Sequence, residues 1–302
     1  RGGQPVPENT IVAVEEVLWD FAPTGRDLVG GGPVPQPWRD HTRWRKARYI
    51  QYADETFTVR VPQPSWLGIL GPCIRAEVGD RVKLHVLNRT ADFQAIHAQG
   101  IRVLETDAAF HAGGRALVAP GGALTYTWVV DAESGPAPGA PSSVVRWYGA
   151  PAAEGLSAHL LRPAIIAPAG TARADASPED VDREFVVLLK VFDQARGYGK
   201  GLMHSINGYI FGNLPGLIAL NGERVRWHIL DLGSENAVKA SLPFAVPANM
   251  TASTKGFDTV RLSSGAMTVT DMRADDPGTF ALRGHEPDHV SAGMAALYTV
   301  VP

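Results

Sequence analysis

Gly79-Asp80-Arg81-Val82-Lys83-Leu84-His85-Val86-Leu87-Asn88 is the stretch on which the fold turns. Val82, Leu84 and Val86 alternate with Arg81, Lys83 and His85, so an extended backbone sends the apolar set to one face and the charged set to the other. The same phrase returns as Gly222-Glu223-Arg224-Val225-Arg226-Trp227-His228-Ile229-Leu230-Asp231. A second match sets Gly122-Ala123-Leu124-Thr125-Tyr126-Thr127 against Gly265-Ala266-Met267-Thr268-Val269-Thr270. Residue 222 stands to 79 as 265 stands to 122, an offset of 143. Two matches at one offset predict a duplicated β domain, and a period that long is a tandem domain rather than a solenoid repeat of about 20–50 residues.

Across the chain 32 Gly and 23 Pro punctuate short apolar stretches, and period 2 dominates over period 3.6. The alternation implies sheets with one wet face, which places His85 and His228 outward as solvated or interfacial side chains. Residues 168–178 are small and polar and read as a linker. The expected domains are therefore 1–168 and 183–302, with 169–182 between them. The second opens on Arg183-Glu184-Phe185-Val186-Val187-Leu188-Leu189-Lys190, a continuous apolar strand core. Each unit has the strand density of a Greek-key sandwich, so the expected class is all-β, two tandem sandwiches.

Composition sets bounds on function. With 28 basic against 31 acidic side chains the formal charge is −3, which offers no broad attraction for nucleic acid. No apolar run approaches the roughly 18 residues that a membrane span requires. Cys73 is the single cysteine, which excludes an intrachain disulfide and any site built from two thiolates of one chain. The chain opens on Arg1 with no charged, apolar leader, so a leader is expected to have been removed or to lie outside it, and the compartment stays open. The run from Arg39 to Tyr49 mixes cations with aromatics and reads as a solvated edge strand guarded by charge rather than an anion or nucleic-acid patch. Asn88-Arg89-Thr90 and Asn249-Met250-Thr251 match the glycosylation sequon.

Several blocks then carry a resemblance. Trp66-Leu67-Gly68-Ile69-Leu70-Gly71-Pro72, Ile74-Arg75-Ala76-Glu77-Val78-Gly79-Asp80, Met203-His204-Ser205-Ile206-Asn207-Gly208-Tyr209, Gly212-Asn213-Leu214-Pro215-Gly216-Leu217, Asp276-Pro277-Gly278-Thr279-Phe280 and Ala292-Gly293-Met294 span nearly the whole chain. In that order they resemble the two-domain multicopper oxidases, the small laccase-like and ceruloplasmin-like proteins, and the resemblance implies cupredoxin-like sandwiches. It also implies four copper-ligand motifs. Where the family has His-x-His-Gly, this chain has His97-Ala98-Gln99-Gly100. Where it has Tyr-His-x-His, Tyr148-Gly149-Ala150-Pro151 keeps the tyrosine alone. His-x-x-His-x-His becomes Lys239-Ala240-Ser241-Leu242-Pro243-Phe244. His-Cys-His-x-x-x-His with a following Met becomes Arg283-Gly284-His285-Glu286-Pro287-Asp288-His289 and Met294.

The residues carried over as former ligand positions are thus His97, His285, His289 and Met294, and no metal is expected, copper least of all as a blue centre, because Gly284 supplies no thiolate. The replacements are either space-filling or cationic, which suggests a metal cleft rebuilt as a pocket for a small, possibly anionic, organic substrate. There His97 or His285 would move a proton, Arg283 would hold a carboxylate or oxyanion and Tyr148 would assist. Gln99, Lys239, Leu242 and Phe244 would bind substrate. The expected reaction is non-redox: cyclisation, isomerisation, elimination or hydrolysis. The competing expectations are a non-catalytic scaffold and a residual single-copper protein built on His289, Met294 and another histidine. Two-domain members of the family close as homotrimers, so a homotrimer is expected. His204 reads as a satisfied structural histidine; His111 and His159 have no assigned role.

Overall fold

The structure is a computed structural model that describes residues 8–106, 110–112, 115–150, 161–194, 201–234, 242–245, 259–262, 265–284 and 287–302. In the first part of the chain the strands are β1 (Glu8–Asp20), β2 (Arg43–Gln51), β3 (Ile74–Glu77), β4 (Arg81–Asn88), β5 (Gln94–Ala98) and β6 (Arg102–Thr106). They continue as β7 (Phe110–Ala112), β8 (Arg115–Val118), β9 (Ala123–Val129), β10 (Ser143–Ala150) and β11 (Leu161–Ala167). They form two sheets, in the orders β2-β1-β4-β9-β6 and β3-β11-β10-β5-β8-β7. The second part carries β12 (Arg183–Asp193), β13 (Leu202–Ile206), β14 (Ile218–Leu220), β15 (Arg224–Ser234) and β16 (Leu242–Ala245). After these come β17 (Thr259–Leu262), β18 (Met267–Arg273), β19 (Gly278–Gly284), a five-residue helix α1 (Pro287–Ser291) and β20 (Ala295–Val301). Its sheets are β13-β12-β15-β18 and β14-β20-β19-β16-β17. The all-β class is as the alternation implied.

The quoted stretch forms β4, with Val82, Leu84 and Val86 buried and Arg81 and Lys83 exposed. It pairs parallel to β1 and antiparallel to β9, setting Trp128, Tyr126 and Leu124 opposite the three apolar residues. Together with Trp147 and Tyr49 these side chains make the first core. Removing one such large side chain from water contributes roughly 1.5–3 kcal/mol, which makes this face the chief stabiliser of the strand. The repeat is real: β15 pairs with β12 and β18 in the same arrangement, and Phe185, Trp227 and Tyr298 form the matching aromatic core.

Two expectations fail in detail. The register matches Val225 with Met272 and Leu230 with Met267. Relative to β4 and β9 this sets Thr268, Thr270 and Met272 in the places of Leu124, Tyr126 and Trp128. The second pair of matched stretches is therefore offset by one residue more than the first. The turn glycines agree: Gly265 has φ 84 and so answers to Gly121 (φ 72), not Gly122. A one-residue slip in text alignment exchanges the two faces of a strand. The other failure is the wet face. Arg226 and His228 are fully buried, as are Val186, Leu188 and Phe192 on the same side of the sheet, with Phe21 edge-on against Phe192. Arg226 is held there by both oxygens of Asp271 and both of Asp180, at 2.6–3.0 Å, and His228 Nε2 lies 2.8 Å from Glu184 Oε1. His85 in β4 follows the expectation more closely, half-buried beside Thr125.

The chain divides into two compact units: Arg1–Val17 with Arg45–Gln63 and Leu70–Glu179, and Leu18–Trp44 with Pro64–Ile69 and Asp180–Pro302. The small polar stretch after β11 is pinned to the first unit, where a Glu77 carboxylate oxygen accepts from the backbone N–H groups of Thr171 and Ala172. In the second unit Asn207 ties three segments together. Its Oδ1 accepts from Leu188 N (2.6 Å), while its Nδ2 donates to Val186 O (2.8 Å) and Trp66 O (2.7 Å). Gly68, at φ 55, is required at this crossing, because a Cβ there would stand 2.2 Å from the Asn207 carbonyl oxygen.

Candidate functional site

The residues expected to line one pocket fall into two groups, one on each compact unit. In the first, Ile96 and Ala98 of β5 enter the core, so the intervening His97 and the following Gln99 point to the opposite face. His97 is half-buried and Gln99 exposed at the turn where Gly100 takes φ 76. The antiparallel register sets Tyr148 of β10 directly across from His97, so the sheet brings these two positions together.

In the second group, Leu282 of β19 is buried in the core and Arg283 beside it is exposed, pointing away from that core. Backbone pairing sets Phe244 opposite Gly284 and Ala245 opposite Arg283, with Leu242 further along β16. Lys239 and His285 lie outside the described residues, as do the side chains of Tyr148, Leu242, Phe244 and His111, and the whole of His159 and Asn249.

The best-defined constellation surrounds Gly284. An added Cβ at this glycine would sit 3.3 Å from Met294 Sδ and 3.7 Å from His289 Cβ. Met294 is fully buried, and its backbone N–H donates to His289 O at 2.9 Å. The three positions that the resemblance assigns to one mononuclear centre are thus adjacent, with glycine where a sulfur would stand. A fourth residue joins them. His204, from β13, meets His289 ring to ring at a centroid distance of 4.7 Å in a T-shaped arrangement. Burial and the neighbouring His289 push its pKa down to about 4, against a smaller opposing pull from Asp288. Its Nδ1 is buried and makes no hydrogen bond among the described residues. Among the described residues the expectation of a satisfied structural histidine is not met at Nδ1. Residue spacing could not show it, since His204 and His289 are far apart in sequence; the signal that could have was their placement in two separate blocks of the resemblance.

Other sequence candidates resolve plainly. Asn88 is fully buried, with Nδ2 donating to Asp92 O and Val118 O and Oδ1 accepting from Thr90 N and Oγ1. Its sequon is a closed turn rather than an acceptor. The basic run divides: β2 is an edge strand with Arg43 and Arg45 exposed, as expected, whereas Lys46 and Tyr49 are buried. Cys73 is a half-buried thiol. Among the described residues no group of three or more His, Cys, Asp or Glu is placed to hold a metal ion, and no helix is long and apolar enough to cross a membrane.

Comparison with known proteins agrees with this architecture. Two multicopper oxidase family models match, over residues 65–137 and 220–302. Mouse hephaestin is 32% identical, with 96% of this chain aligned to 28% of its length. Human ceruloplasmin is 30% identical over 85% of this chain and 27% of its own; the human ferroxidase HEPHL1 is 27% identical over 96% and 29%. The chain thus spans less than a third of the curated relatives it matches. Among solved structures, one described as a multicopper oxidase superposes with a TM-score of 0.60 at 18% identity, covering 97% of this chain and 88% of that one. A copper-containing nitrite reductase from Thermus scotoductus gives 0.58 at 13%, covering 98% and 62%. With the strand order, the duplicated sandwich and the motif blocks all in place, the chain belongs to the multicopper oxidase family and carries two of its cupredoxin-like domains.

Proposed function

We propose that this chain is a copper-free member of its family that acts on a small organic molecule by non-redox acid–base chemistry. The observation that carries the first half is Gly284. A blue copper centre depends on a thiolate, and the donor set at this place is a glycine, the His289 imidazole and the Met294 thioether. Those residues do not fit a blue copper centre. The ferroxidase reaction in the name of one relative finds no such centre at this place. For the second half, support comes from the surviving His97 on an outward face opposite Tyr148 and from exposed Arg283. These supply a proton carrier with its neighbour and a fixed cation for an anionic group. His285, Gln99, Lys239, Leu242 and Phe244 complete the proposed substrate-binding set on the strength of the resemblance. The assembly proposed with it is a homotrimer.

Metal analysis of protein purified from copper-supplemented medium tests the first half: no tight copper and no absorption near 600 nm are expected. Turnover of p-nitrophenyl esters and small lactones tests the second, with His97→Ala and Arg283→Ala folded but inactive. Equal activity in both variants, or oxygen consumption with a phenol, overturns the reading.

A second reading has one specific observation in its favour. The Nδ1 of His204, buried and without a hydrogen bond among the described residues, lies beside His289 with Met294 close by, a neutral nitrogen–sulfur donor set of the kind that suits a single monovalent copper. About one copper per chain, lost in both His204→Gln and His289→Ala, would establish it over the first.

A further inference from the structure

The connection between β1 and β2, residues 21–42, is far longer than the corresponding 194–201 between β12 and β13, although both join the same two positions of the repeated sheet. Loops of this length in compact domains usually serve a purpose beyond connection. This one is fixed at its base to the second unit: Trp38 Nε1 donates to Leu202 O (2.8 Å), Leu28 N to Phe211 O (3.0 Å), and Thr24 Oγ1 to Asn213 Oδ1 (2.6 Å). It encloses a surface cleft of about 520 Å³ whose walls include Asp20, Arg39, Asp40, His41, Arg43 and Trp44. That volume is within the range of small-molecule sites.

The two arginines share an unusual constraint. Arg39 is held through Nε by Val34 O at 2.8 Å, and Arg43 through Nε by Asp20 Oδ2 at 2.8 Å. The hydrogen bonds of both arginines to described residues are made through Nε, so each guanidinium is oriented and its terminal Nη groups still offer their paired donors. Trp44 is itself fixed, its Nε1 donating to His41 O at 2.8 Å, and it supplies an indole wall. Two anchored guanidiniums, an exposed imidazole between them in sequence and an aromatic wall make a receptor for an anion attached to a ring. The carboxylate of Asp20, which takes one N–H of Arg43, and that of Asp40, which accepts from Gln36 Nε2, offset the two guanidinium charges without taking up their terminal N–H groups.

The geometry points to a binding site for a sulfated saccharide at this loop, with the sulfate group between Arg39 and Arg43 and the sugar ring against Trp44. This site is independent of the copper question, since no residue in it belongs to the former ligand positions.

The test uses the whole chain and titrates a sulfated heparin disaccharide, its unsulfated counterpart and inorganic sulfate by calorimetry, at low salt and at 0.3 M NaCl. The sulfated disaccharide is expected to bind, to weaken with salt, and to weaken about tenfold in Arg39→Ala, in Arg43→Ala and in Trp44→Ala. Asp40→Asn, which keeps the acceptor and removes the charge, is expected to tighten binding a few-fold. Unchanged thermal melting in Arg39→Ala and Asp40→Asn, both at exposed positions, separates binding from folding. Inorganic sulfate or the unsulfated disaccharide binding as tightly as the sulfated one overturns the proposal, as does the absence of binding at millimolar ligand, or an Asp40→Asn variant that binds more weakly.

Discussion

Replacing Asn207 by alanine is expected to weaken the second unit by about 4–6 kcal/mol. The side chain is fully buried, and its loss deprives Leu188 N–H, Val186 C=O and Trp66 C=O of their partner. A buried amide left orphaned costs about 1–3 kcal/mol, and each under-satisfied carbonyl roughly 1. Asn207 also sits at φ 50, a left-handed conformation that asparagine tolerates and alanine enters at about 1 kcal/mol. Against the 5–15 kcal/mol of a typical domain, that sum is a large fraction. Urea unfolding followed by tryptophan fluorescence measures it, and hydrogen exchange at the Leu188 amide localises it, with protection expected to fall by about three to four orders of magnitude at about 1.4 kcal/mol per decade. Asn207→Gly separates the two causes, since it relieves the backbone conformation while losing the same three bonds, and should be about 1 kcal/mol less damaging than alanine. A loss below about 1.5 kcal/mol in alanine, or a glycine variant worse than alanine, would show that these three bonds and the left-handed backbone do not carry that stability.

Other outcomes are equally specific. Protein made in a glycosylating host should carry no glycan at Asn88 by mass spectrometry, and Asn88→Gln should lose about 2–4 kcal/mol because four hydrogen bonds end on that amide. The depressed pKa of His204 means that its proton binds the unfolded chain more readily than the folded one. Stability should therefore be full above about pH 6.5 and fall as pH drops toward 4. Allowing for partial solvent screening the fall is about 1–2 kcal/mol, and His204→Gln should flatten it in unfolding curves taken between pH 7.5 and 4.5. Arg226→Met should cost about 1–3 kcal/mol in the same assay, since it leaves the partly solvated carboxylates of Asp271 and Asp180 without the cation they share. Gly284→Ala should cost under about 1 kcal/mol, because the new methyl meets the movable Met294 thioether at 3.3 Å rather than backbone.

How much of this was legible beforehand differs between fold and site. The alternation at Arg81–Asn88 carries both strand and orientation, because period 2 is a local property of the backbone. The same alternation misled at Arg226 and His228: it tells which side chains share a face but not what covers that face. Short matched phrases such as Gly-Ala-x-Thr located the repeat and missed its one-residue slip, which hydrogen-bond register alone fixes. Gly284, His289 and Met294 were implied by the resemblance to the family's copper-ligand motif, and they are adjacent. His204 was undervalued because its partner is reached through three dimensions. The membership of Leu18–Trp44 in the second unit had no sequence signature at all.

That interleaving bears on how the protein is made. Translation proceeds at about 5–20 residues per second, so the stretch ending at Trp44 leaves the ribosome on the order of ten seconds before Asp180 and the strands it must join. During that interval Trp19, Phe21 and Trp38 lack the surfaces they later cover. Severing the gene near residue 180 would make the delay permanent. Neither half expressed alone should yield a soluble domain, whereas the two co-expressed could still recombine.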